Sequence, residues 1–109
     1  MADNNRVGRG EGASRVARWL AATLGPGSGA RIATLSRNSV WMLVLQQACI
    51  RAGAIFVPFN WRLAPGEVTE LIADAEPLIL FHDADFGAPS DVPTILPLAA
   101  LETLAADTP

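Results

Sequence analysis

Lysine is missing from this chain of 109 residues; all eight basic side chains are arginines. That absence excludes chemistry carried by an amine nucleophile, such as Schiff-base formation, and any P-loop, whose lysine grips phosphate. It also argues against a phospho-receiver domain, a common small parallel α/β module that depends on a lysine. Cysteine is nearly as scarce. Cys49 alone makes neither a disulfide within the chain nor a cysteine-rich metal set, and inside an apolar helical pattern it reads as a small buried hydrophobe. A chain without disulfides suits a reducing, cytoplasmic setting. Long apolar runs are absent as well. The longest, Val40 to Leu45, falls far short of the ~20 residues that cross a bilayer, so no transmembrane segment is expected. The net charge is only −3 and the arginines are scattered, which leaves no electrostatic footprint for nucleic acid.

Half of the chain is hydrophobic, enough for one domain with a real core. Residues 1–12, polar and glycine-rich, read as a flexible tail without the apolar centre of a signal peptide. A helical pattern follows from Ala13 to Leu24, with Val16, Trp19, Leu20 and Leu24 on one face, and Gly25-Pro26 stops it. The glycines of "GRGEG" and "GPGSG" do not match the dinucleotide fingerprint and lie outside a strand-to-helix junction, so they read as tail and turn. "RIATL" (31–35) is a short strand. "SRNS" turns into a helix that Asn38 or Ser39 caps and that runs to Ala52, with Gly53 just beyond it. That helix is apolar nearly all round, with only Gln47 and Arg51 as a thin polar stripe, so it calls for cover on most sides.

"AIFVPF" (54–59) does not alternate and reads as a strand buried on both faces, with regular pairing ending near Pro58. A third helix opens at Pro65. Glu67 sits where it can reach back to free N–H groups, Leu63 and Val68 are spaced as a hydrophobic staple, and Val68, Leu71, Ile72 and Ala75 form the inner face. "PLILF" (77–81) is a third strand. Residues 84–109 leave room for a loop, a short strand at "TILPL" and a frayed helix or tail. The order α-β-α-β-α-β implies an α/β fold with a doubly wound parallel sheet.

From Ser14 to Asp83 the chain resembles the amino-terminal domain of the adenylate-forming acyl-CoA synthetases. The resemblance rests on "RIATLSRNS" and on "ACIRAGAIFVPFNWRLAPGEVTELIADAEPLILFHD", and the asparagine-tryptophan-arginine wording leans toward the fatty-acid-activating branch. The resemblance implies a partial doubly wound sheet, an excerpt of a larger domain. It implies an enzyme that joins a carboxylate to ATP with magnesium, then passes the acyl group to the thiol of coenzyme A. The family handles ATP through a Ser/Thr/Gly-rich loop ending in Pro-Lys-Gly, later aromatic and acidic motifs, and a lysine on a small carboxyl-terminal domain. None of these occurs here, and the family's usual Thr-Tyr-x-Glu-Leu entry ahead of the first helix is also missing, so the chain looks truncated at both ends and inactive alone. No cofactor is expected to bind this segment by itself; ATP, Mg²⁺ and coenzyme A belong to the parent family.

The resemblance also implies that the turn after the second strand faces the coenzyme A groove, which Asn60, Trp61 and Arg62 would line. Arg62 would pair with a phosphate and Trp61 would stack on a ring. The plainer alternative has Asn60 as a turn residue, Trp61 packed over the third helix and Arg62 in solvent. His82 is a general base by type but has no partner at a recognisable spacing, and Asp83 with Asp85 reads more simply as an acidic loop than as a metal pair. No catalytic residue and no metal ligand is assigned. Ala64 stands at a helix N-cap where relatives often carry serine or threonine. Three functions are open: a fragment of an acyl-CoA ligase, a free-standing α/β binding module, and an interaction subunit docking through an apolar face. The expected partner is the missing remainder of the ligase, or a second copy of the chain.

Overall fold

The computed structural model describes residues 10–37, 39–83 and 91–109. Residues 1–9, most of the expected flexible tail, lie outside the described residues, as do Asn38 and Asp85. The elements run α1 (Gly12–Leu24), β1 (Arg31–Leu35), α2 (Val40–Ala52), β2 (Ile55–Phe59), α3 (Pro65–Ala75), β3 (Ile79–His82), β4 (Thr94–Pro97) and α4 (Ala100–Asp107). The four strands form one parallel sheet in the order β2-β1-β3-β4. Strand–helix alternation therefore gives the expected parallel α/β architecture, extended by a paired fourth strand. Of the two forms expected for the closing segment, helix or tail, it is a helix, with Leu101 fully buried.

The chain crosses from β1 to β2 in one direction and from β2 to β3 in the other. The two intervening helices accordingly cover opposite faces, as two crossovers of one hand require. On the first face α1, α2 and α4 enclose Ile32, Ile79 and Phe81, with Val16, Leu20, Leu45, Ala48 and Cys49 from the helices. On the second face α3 packs Val68 and Ile72 against Ala33, Leu35, Phe59 and Leu80, joined by Val92 from the segment ahead of β4. Burial of a side chain such as Phe81 contributes about 1.5–3 kcal/mol. Leu71, expected on the inner face of α3, is instead exposed, while Val68 and Ile72 are buried and Ala75 packs beside them as expected.

Two expectations are corrected by the position of β2. It is not buried on both faces: Ile55 is 48% exposed and Pro58 is exposed, because β2 is an edge of the sheet, paired with β1 alone, whereas β1 and β3 are the inner strands. Pairing also runs past Pro58, through Thr34↔Pro58 to Leu35↔Phe59. Ile55 donates its N–H to the Ala30 carbonyl at 2.8 Å, so residues 55, 57 and 59 face β1 and the nitrogen of Pro58 faces away. A proline there removes no ladder bond.

The cover expected around α2 is also incomplete. Val44, Leu45, Ala48, Cys49 and Ala52 are buried, whereas Leu43 is 55% and Ile50 68% exposed. Val40, Leu43 and Ile50 line up with Gln47 at spacings of three and four residues, one face of the helix left largely exposed. At the other end of α2, Gly53 adopts φ 73°, and a Cβ placed on it would stand 2.6 Å from the Gly27 Cα. Gly27 and Gly29 donate backbone hydrogen bonds to the Ala52 and Gly53 carbonyls, both at 3.0 Å, so the turn after α1 is fastened to the end of α2.

A cleft at the carboxyl ends of the strands

Parallel pairing sets Leu35 beside both Phe59 and His82, so β1, β2 and β3 release the chain side by side. In open α/β sheets this end is where ligands bind. The segments leaving the strands meet there: Ser36-Arg37 from β1, Asn60-Trp61-Arg62 from β2 and Asp83 after β3. Asn60 shapes its corner as an Asx turn. Its Oδ1 accepts the Arg62 N–H at 3.0 Å, and its carbonyl accepts the Leu63 N–H at 3.1 Å. α3 then starts as the sequence implies. Glu67 Oε1 accepts the Ala64 N–H at 3.0 Å, and Leu63 packs into the same cluster as Val68.

That turn presents Trp61, half-buried, to two guanidinium groups. Arg62 lies 4.9 Å and Arg37 5.1 Å from the centre of its ring. Each such contact at a partly exposed ring contributes about 0.5–1 kcal/mol. Arg37 also approaches Asp83 at 4.0 Å, a solvent-accessible pair that adds little to stability. His82 Nδ1 stands 3.1 Å from the Asp83 carbonyl oxygen, a bond it makes as donor in the Nδ1–H tautomer. His82 and Asp83 do not line the cleft that opens beside Trp61. Among the described residues no three His, Cys, Asp or Glu side chains group as metal ligands.

The cleft has a volume of about 400 Å³ and is lined by Ser36, Met42, Pro58, Phe59, Asn60, Trp61 and Arg62. All three residues picked from the sequence therefore share one site. Ser36, Arg37 and Met42 join them unannounced. "SRNS" reads as a helix-capping turn, and nothing local shows that β1–β2 pairing carries it to the Trp61 corner. Of the two expected caps, Ser39 is the N-cap of α2 but makes no side-chain cap bond, and Asn38 lies outside the described residues. The hydroxyls of Thr34, Ser36 and Ser39 are all buried without a hydrogen-bond partner among the described residues. Thr34 and Ser36 follow Ile32 at alternate positions, which directs them to the α2 side of the sheet.

Comparison with known proteins places this arrangement in a family. The family of AMP-binding enzymes matches residues 10–107. An indoleacetate–CoA ligase of Aromatoleum aromaticum is 47% identical over 60 residues, covering 55% of this chain and 12% of that protein. A fatty acid–[acyl-carrier-protein] ligase of Streptomyces coeruleorubidus is 35% identical over 94 residues, covering 85% of this chain and 17% of its own length. Among solved structures, a fatty acyl CoA synthetase of Mycobacterium tuberculosis superposes with a TM-score of 0.75 at 28% identity, over 90% of this chain and 22% of that one. The chain thus spans less than a fifth of either curated relative, and within that span it belongs to the AMP-binding enzyme family, as an amino-terminal portion of the acyl-CoA synthetase kind.

Proposed function

We propose that this chain forms the coenzyme A-facing corner of an ATP-dependent fatty acid–CoA ligase and that, alone, it catalyses neither adenylation nor thioester formation. The observation carrying this reading is the convergence of Asn60, Trp61 and Arg62 with Arg37 around one cleft at the carboxyl ends of parallel strands. When bound, ATP and magnesium supply the activated phosphate in such a ligase, and coenzyme A supplies the accepting thiol. The residues of this corner bind and orient. Trp61 offers a ring face for stacking, Arg62 a positive charge for a phosphate, and Asn60 the turn that holds both in place. Adenylation needs strong charge stabilisation at the transferring phosphoryl group, and a chain without lysine supplies little of it.

The remainder of such a ligase would also cover the face of α2 that Val40, Leu43 and Ile50 expose. Without it the chain is expected to self-associate, since contiguous apolar surface of that kind is uncommon on soluble monomers. No helix among the described residues is long and apolar enough to cross a membrane. The single buried thiol fits a cytoplasmic location.

The test combines a titration with an activity assay. In ¹H–¹⁵N spectra of the labelled chain, coenzyme A is expected to shift the Trp61 indole and the Asn60 and Arg62 amides. Pyrophosphate release with ATP and a fatty acid is expected to stay at the level of a protein-free control. Release above that level would overturn the inactivity. A titration that leaves the Trp61 corner unmoved would overturn its assignment to coenzyme A. A monodisperse monomer that binds no apolar dye would favour the free-standing module instead.

A further inference from the structure

We infer that two copies of this chain pair about a two-fold axis at the amino ends of the strands, an arginine-bearing cleft of each copy meeting an acidic cleft of the other. This rests on the self-association proposed above and names the surfaces that meet; the coenzyme A corner lies at the opposite end of the strands. The first cleft, of about 390 Å³, opens between the ends of α1 and α2 and is lined by Arg18 and Arg51 beside Ala21, Pro26 and Ile50. The second, of about 430 Å³, opens between the end of α3 and the segment ahead of β4. Glu76 and Asp91 line it beside Ile72, Pro77, Leu78 and Pro93. Among the described residues no carboxylate lines the first cleft and no basic group lines the second. All four charged side chains are exposed, and neither Glu76 nor Asp91 makes an ion pair among the described residues.

The two clefts complement each other in charge and in apolar content. Each carries one exposed aliphatic side chain, Ile50 (68%) in the first and Leu78 (42%) in the second. In the pair each of them covers the apolar lining of the opposite cleft. Arg18 spends its Nε on the Pro109 carbonyl, and Arg51 one nitrogen on the Gly10 carbonyl and the Ser14 hydroxyl. A guanidinium has five N–H donors, so both keep donors for a carboxylate. Glu76 is poorly placed for the single chain. It ends α3 at φ 49°, a negative charge at the negative end of a helix with no basic residue in its last turn. An arginine from a second copy supplies the missing positive charge. α2 ends just before β2 and α3 just before β3, so both clefts lie at the amino ends of the strands, on opposite faces of the sheet. A two-fold axis lying in that end exchanges them. Both contacts then form together and assembly stops at two copies. Two contacts of this kind make a small interface, so the dimer is weak.

The experiment follows the mass of the chain by light scattering, from micromolar to millimolar protein. The parent is expected to pass from monomer to dimer and no further, and to dimerise less at high salt, which screens exposed pairs. Glu76→Arg with Asp91→Arg, and separately Arg18→Glu with Arg51→Glu, are each expected to weaken dimerisation about tenfold or more, because each reversal acts at both contacts. Mixed in equal amounts, the two variants are expected to pair as the parent does, since intact cleft then meets intact cleft and the two reversed clefts also match. Glu76→Gln with Asp91→Asn, a mild change at exposed positions, is expected to weaken the dimer by a smaller factor, about threefold. Leu43→Gln, on α2 but outside both clefts, is expected to leave it unchanged. A parent that stays monomeric throughout would overturn this dimer together with the self-association on which it rests. A dimer unaffected by the neutral acid variant, or lost in Leu43→Gln, would overturn these surfaces and leave self-association standing through another face. Failure of the two reversed variants to recover on mixing, with the circular dichroism of both unchanged, would overturn them too. Growth beyond two copies would refute the two-fold axis.

Discussion

Raising the pH should destabilise this protein through a single side chain. Cys49 is 1% exposed on the inner face of α2, and burial pushes its thiol from the ordinary 9.0 up to about 12. The chain contains neither tyrosine nor lysine, and arginine stays protonated throughout, so Cys49 is the one side chain with an ordinary value inside that window. The folded state keeps the thiol proton longer than the unfolded state does. The contribution to stability is therefore intact below pH 9 and is lost as pH rises toward the folded value. Each pH unit removes about 1.4 kcal/mol, and the full window about 4 kcal/mol. For a domain of this size, with about 5–15 kcal/mol in total, that is a large share. Urea unfolding followed by tryptophan fluorescence at pH 8, 9, 10 and 11 would measure the slope. Cys49→Ala should cost about 1 kcal/mol at pH 8 through the lost sulfur, then show a flat profile and overtake the parent just below about pH 10. Parallel pH profiles in parent and variant would refute the reasoning.

Three further substitutions test the local geometry. Gly53→Ala should destabilise by about 2–3 kcal/mol, because the backbone is left-handed there and the added carbon meets the Gly27 Cα; a thermal midpoint within a degree of the parent would contradict this. Glu76, the one non-glycine residue at positive φ among those described (49°), closes α3, and Glu76→Gly should raise stability by about 0.5–1 kcal/mol in a urea melt. Ala64→Ser should add about 1 kcal/mol by capping α3 beside the bond already made from Glu67; an unchanged denaturation midpoint would count against it.

Local signals in the sequence locate most elements. Gly25-Pro26 ends α1, Gly53 ends α2, and Pro65 with Glu67 opens α3 within a residue of where the structure has them. What escaped depends on neighbours distant in the chain. "AIFVPF" has the composition of an inner strand, yet strand order, which no local pattern records, puts it at the edge. The candidate site divides the same way. Asn60, Trp61 and Arg62 are adjacent in sequence and carry a recognisable wording. Ser36 and Arg37 reach them only through the register that sets Leu35 against Phe59. Ser36 left no other mark, since a serine after a strand and before a helix is usually a turn or a cap.

The outward nitrogen of Pro58 has a consequence for the chain while it is newly made. An open strand edge is a template onto which a strand from another molecule can add, the first step of sheet-like aggregation. On β2 the backbone groups of Phe56 and Pro58 point outward, and only Phe56 has a hydrogen to donate. A recruited strand would gain half the donors that an edge of this length normally offers. Pro58 thereby acts as a gatekeeper, steering association of exposed chains away from an open-ended sheet and toward the side-chain surfaces of the helices.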